Sequence, residues 1–170
     1  MSDETTGRRL GGLTSVGYFV AFLLISLSLF DFAGTLWPFL PSDASWRYGS
    51  VGILSGFLLT PMIGSLLAVY VAAFAGHGRA LRLLGIVDLA VAGLLLVGLA
   101  SFALDSLQVR SDTSPEARGV LEMGAIKVVV KHLAGIVAFA WLGMTALKVG
   151  KRTRGIERAE AGAGLLVGRK

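Results

Sequence analysis

Four long apolar runs joined by short polar connections constrain this chain more than any other feature. The first extends from about Val16 to Leu36, reads VGYFVAFLLISLSLFDFAGTL, and carries Asp31 as its one charge. The second covers residues 50–75 and contains Pro61. The third covers residues 83–107, with Asp88 near its start and Asp105 near its end. The fourth covers residues 123–147 and holds Lys127, Lys131 and His132 in its first half. A helix of about 20 apolar residues crosses a hydrocarbon core about 30 Å thick, so each run is long enough to span a bilayer. A soluble bundle would need a polar stripe along every helix, and these runs carry almost none.

The composition agrees. Of the 170 residues, 54% are hydrophobic and 16% charged, and the mean hydropathy is +0.73, too apolar for an ordinary soluble domain. The expected fold is an all-α integral membrane protein, a four-transmembrane-helix bundle. Residues 1–15 form a short N-terminal segment, 16–147 the transmembrane domain and 148–170 a basic tail. Arg8 and Arg9 precede the first run, as basic residues precede a secretory leader. The run is too long for a leader's hydrophobic region and no small-x-small cleavage site follows, so it reads as a span. The connection over residues 108–122 is polar, contains Pro115, and has room for one short interfacial helix.

Lysine and arginine concentrate on the cytoplasmic side of membrane proteins. Arg8, Arg9, Arg79, Arg82 and seven residues from Lys148 to Lys170 would share one side, eleven in all. Arg47, Arg110 and Arg118 would lie on the other, and Lys127 and Lys131 fall inside the fourth span. This bias puts both termini in the cytoplasm of a bacterium, with the chain a multi-pass protein of the inner membrane. The basic tail reads as the flank that stops transfer, or as a strip resting on anionic headgroups.

In the second span, Gly52, Gly56, Thr60, Gly64, Ala68, Ala72 and Gly76 recur every four residues, and all are small. Such a row lets two helix backbones approach closely. The expected partner is another span of this chain or another subunit. Pro61 lacks an N–H, so the Phe57 carbonyl loses its usual donor and a kink is expected there.

Asp31, Asp105, Lys127 and Lys131 form a candidate charge cluster on the outer side of the membrane. Charges within spans are costly and tend to face protein or water. Small or polar neighbours accompany each one, Ser28 and Gly34 beside Asp31, Ser101 beside Asp105, Gly124 and Ala134 beside the lysines. Two readings follow. Either the charges set helix register, with the lysines free to snorkel outward, or they line a polar pocket for an ion or a small anion. Asp88 is expected to pair with Arg79, Arg82 or Lys148, and His132 to be a hydrogen-bonded core residue.

No cysteine is present, which removes disulfides and thiolate metal sites, and one histidine within a span cannot supply bis-imidazole haem ligation. No metal site or cofactor is expected. The expected partners are the lipid bilayer and other membrane subunits or further copies of the chain, not nucleic acid. A membrane enzyme would have to draw on Asp31, Asp105, Lys131 and His132, and nothing in the sequence places them around a substrate. The expected function is that of a small non-enzymatic accessory or interaction subunit of a membrane assembly. The alternative is a subunit of a small oligomeric transporter or channel that uses the outer-side charges.

Overall fold

The structure, a computed structural model, describes the backbone of residues 2–167 and the side chains of residues 12–153. The basic groups of Arg8, Arg9, Arg154, Arg158, Arg169 and Lys170 therefore lie outside the described side chains. The chain forms α1 (Ser2–Thr35), α2 (Ala44–Phe57), α3 (Leu59–Phe74), α4 (Gly78–Asp112) and α5 (Pro115–Val167), and no strand occurs among the described residues. Gly12–Thr35, Gly78–Asp112 and Pro115–Thr153 are each long and apolar enough to cross a membrane. Together α2 and α3 make one further apolar stretch, bent by 48°. These helices fit a membrane-embedded protein.

Two boundaries differ from those expected, each for a local reason. The second apolar stretch begins at Ala44 rather than near Ser50, because Asp43 caps it. Its Oδ1 accepts from the amides of Ser45 and Trp46 at 2.7 and 3.1 Å. The segment 108–122 is helical on both sides of a turn at Thr113 and Ser114, so α4 and α5 simply extend beyond the apolar region. Pro115 suits the first position of α5, where its missing N–H costs nothing. Arg110 and Glu122 form an ion pair at 2.8 Å across the two extensions. At the other end, α5 continues past Leu147 with no break.

The α4–α5 pair is the closest seam in the molecule. Buried residues of α4 fall at Gly78, Leu81, Gly85, Asp88, Ala92, Leu95, Phe102 and Asp105, alternating mainly by three and four. That spacing averages 3.5 and keeps one face on a partner helix. Glycines make the approach possible. A Cβ on Gly143 would stand 2.8 Å from the Gly85 carbonyl oxygen, and one on Gly150 would stand 3.2 Å from that of Gly78.

Helix α1 packs on α3, and no Cα of its described residues comes within 8 Å of α4 or α5. Gly64 sits against α1, where an added Cβ would be 3.0 Å from the Ala21 carbonyl oxygen and 2.8 Å from Ile25 Cγ1. The Tyr18 hydroxyl meets His77 Nδ1 at 3.0 Å, with the rings stacked, which ties α1 to the α3–α4 turn. That turn is a Schellman ending. Gly76 takes φ 71°, the His77 amide donates to the Ala72 carbonyl and the Gly76 amide to that of Ala73.

The bend between α2 and α3 falls at Leu58, three residues before Pro61. The Phe57 carbonyl has no donor from Pro61, and the Ser28 hydroxyl of α1 donates to it instead at 3.1 Å. Backbone pairing resumes at once, with the Met62 amide donating to Leu58. The Phe57 carbonyl thus keeps a donor inside an apolar surround, where an unpaired acceptor would be costly.

Candidate functional site

The four-residue row does not present one face. Each step of four residues advances about 40° around a helix of 3.6 residues per turn, so Gly52 to Ala72 winds through about 200°. A Cβ added to Gly52 would lie 3.9 Å from Val128 Cγ2 of α5. Nothing comes within 4 Å of a Cβ built on Gly56, and Thr60 is exposed. Gly64, Ala68 and Ala72 are buried, and Gly76 serves as a helix cap. The close approach is confined to the half of the row that lies in α3.

The four outer charges are not brought together. Asp105 is buried, with a side chain only 7% exposed, and is taken by Arg47 at the start of α2. Arg47 Nε donates to Oδ2 at 3.0 Å and Nη2 to Oδ1 at 2.6 Å, a two-pronged pair. Its Nη1 also donates to the Pro41 carbonyl, and the neighbouring Tyr48 ring stacks on Phe102 at 4.5 Å. Asp31, Lys127 and Lys131 are all exposed on the outward faces of α1 and α5. None of the three has an ion-pair partner within 4 Å among the described residues. The expected lysine–aspartate cluster is thus corrected to an arginine–aspartate clamp. Arg47 lies in the capped first turn of α2 and reaches Asp105, whereas the lysines lie on faces of α5 turned away from α4. The helix-start signal Asp43 could have drawn Arg47 onto the helix in the sequence. Nothing in the sequence says which acid it meets.

A second polar site lies deeper. Asp88 is 2% exposed and Ser65 4%. The Ser65 hydroxyl donates to Asp88 Oδ1 at 2.6 Å, while Oδ2 is buried without a hydrogen-bond partner. The expected pairing of Asp88 with Arg79, Arg82 or Lys148 is absent among the described residues. Asp88 turns inward, two buried turns beyond Leu81, while Arg79, Arg82 and Lys148 are exposed. Both residues line a cavity of about 340 Å³ between α1, the α2–α3 bend, α4 and α5. Phe32, Phe57, Pro61 and Phe139 supply much of its apolar wall. Its existence follows from the packing, because α1 leans on α3 and leaves a gap toward α4.

His132 is fully buried. Its Nδ1 lies 3.0 Å from the Val128 carbonyl, which can only accept, so Nδ1 carries the proton. Nε2 is buried with no partner. Among the described residues, no group of three or more histidines and carboxylates is placed to hold a metal ion.

No protein-family model, curated protein or solved structure matches the chain. The Arg47–Asp105 pair is saturated and joins α2 to α4. The Asp88–Ser65 pair keeps an acceptor oxygen free beside an apolar cavity.

Proposed function

We propose that this chain is a multi-pass inner-membrane protein of a bacterium, a four-helix bundle with both termini cytoplasmic. In this reading it acts as a non-enzymatic accessory or interaction subunit of a membrane assembly. The observation that carries the reading is the outward exposure of Asp31, Lys127 and Lys131 in membrane-crossing helices. A charge facing lipid costs about 2.5–3.5 kcal/mol on insertion scales. The lysines can relieve that by snorkelling, but the short Asp31 side chain, about one turn from the end of α1, reaches less far. A neighbouring subunit would supply its partner. Gly56 and Thr60, open on the surface near the bend, offer a close-packing place for a helix from such a subunit. The transporter alternative drew on a cluster of Asp105 with the lysines, and Arg47 already occupies Asp105.

Mild detergent extraction from the native membrane, followed by identification of what co-purifies, tests the assembly. A stable heteromeric partner is expected, and it should be lost in Asp31→Leu while the chain itself still folds. Recovery of the parent chain alone, at any detergent concentration that keeps it folded, would refute the accessory reading.

The orientation has its own test. The chain lacks cysteine, so single substitutions need no altered background. Ser42→Cys and Ser111→Cys should react with an impermeant thiol reagent in spheroplasts, and Ser2→Cys and Ala163→Cys should react only after lysis. The opposite pattern would reverse the topology.

A further inference from the structure

The cavity beside Asp88 has the shape and chemistry of a ligand site. Its rim includes Leu29, Val87 and Leu94, which are 54%, 48% and 71% exposed, so it opens sideways between α1 and α4. In a bilayer that opening faces acyl chains rather than water. Ser65 lies nine residues from the end of α3, about 14 Å along the axis, or about half of a hydrocarbon core. The carboxyl that meets Ser65, five residues into the third apolar run, therefore lies within the hydrocarbon core. It has one donor, one unpartnered oxygen, and no basic group within 4 Å among the described residues. Acidic groups at such depth are expensive and have partners. A cation would pair the unpartnered oxygen, and the open side of the cavity is apolar.

We propose that the crevice between α1 and α4 is a lipid-accessible binding site for a lipophilic organic cation. Its apolar body lies against Phe32, Phe57 and Leu94, and its charge meets Asp88 while Ser65 holds the carboxylate in place. A cavity of this volume suits a small molecule and is at the low end of ordinary ligand pockets. A metal ion or an inorganic cation would have one carboxylate and one hydroxyl as ligands and no aqueous path. A neutral lipid chain would fill the apolar wall but leave the carboxylate alone. The organic cation satisfies both.

Equilibrium binding of tritiated tetraphenylphosphonium to the full chain in phosphatidylcholine nanodiscs tests this, with empty discs as baseline. Saturable binding of one cation per chain is expected. Asp88→Asn keeps the side chain's shape and an acceptor for Ser65, and should weaken binding about tenfold or more. Leu94→Trp, at an exposed rim position, should narrow the mouth and weaken binding with Asp88 intact. It decides the matter should Asp88→Asn fail to fold. Neutral tetraphenylsilane should compete poorly. Binding no greater than in empty discs would overturn the proposal, as would equal binding by Asp88→Asn in folded form. Equal competition by the neutral analogue would make the crevice a seat for lipid chains only. Closure of the mouth by a second copy of the chain would appear as a dimer that binds nothing, and would overturn it too.

Discussion

Gly143→Leu should separate α4 from α5 and lower the melting temperature of the purified protein more than any surface substitution. A Cβ at this position would already stand 2.8 Å from the Gly85 carbonyl oxygen, 2.8 Å from Leu89 Cγ and 3.1 Å from the Leu89 amide nitrogen. Two of those obstacles are backbone atoms of a helix, which do not swing aside as a side-chain end does. Leucine adds three more carbons to the same gap. Overpacking of a well-filled interior typically costs about 1–3 kcal/mol, and the helix pair must also give up dispersion contacts along its length. Gly56→Leu is the matched control, because nothing lies within 4 Å of its Cβ direction. Thermal unfolding followed by circular dichroism in mild detergent reads both. The Gly56 variant should melt with the parent. If the Gly143 variant does so as well, the two helices are not in backbone contact there. A Gly56 variant that folds normally yet loses a co-purifying partner would place that partner's helix at the α2–α3 bend.

Arg47→Met should destabilise the protein more than the double variant Arg47→Met with Asp105→Asn. The single change leaves a buried carboxylate without the two donors that now hold it at 3.0 and 2.6 Å. Removing one partner of a buried pair is costly because the other keeps its desolvation penalty, and neutralising both recovers much of the loss. A double-mutant cycle on melting temperatures isolates the coupling. Arg47→Lys should rescue only in part, since a single ammonium cannot make two parallel bonds to one carboxylate. Lys127→Met and Lys131→Met should show no coupling to Asp105, because both lysines face away from it. A double variant no more stable than Arg47→Met would mean that the pair does not hold α2 against α4.

The helices were legible in the sequence because the membrane leaves few options. Apolar runs of this length must satisfy their own backbone groups, and a helix does so within one segment. Connections were less legible. Thr113–Ser114 is a two-residue turn between helices that continue into the polar segment, and polarity alone does not separate a loop from a solvated helix end. Asp43 was a readable cap, and it moves the start of the second stretch to Ala44. The small-residue row was visible but its direction was not, since a strict four-residue repeat winds around the helix and the bend at Leu58 turns it further. The three-and-four alternation of Gly78, Leu81, Gly85, Asp88 and Ala92 was also in the sequence, and it marks the closer seam.

The sequence by itself determined that the chain is helical, that its helices are long and apolar enough to cross a membrane, and which few charges lie within them. Those properties depend on residue type and on neighbours within a turn or two. Only the tertiary structure decided which charge meets which. The Arg47–Asp105 pair joins residues 58 apart in sequence, and the Ser65–Asp88 pair joins residues 23 apart. Salt bridges and hydrogen bonds act over about 3 Å, so a rotation of one helix by a fraction of a turn exchanges a buried partner for an exposed side chain. That rotation is set by where glycines let backbones touch, Gly64 on α1 and Gly85 on Gly143. The same contacts leave α1 apart from α4, and so open the crevice beside Asp88.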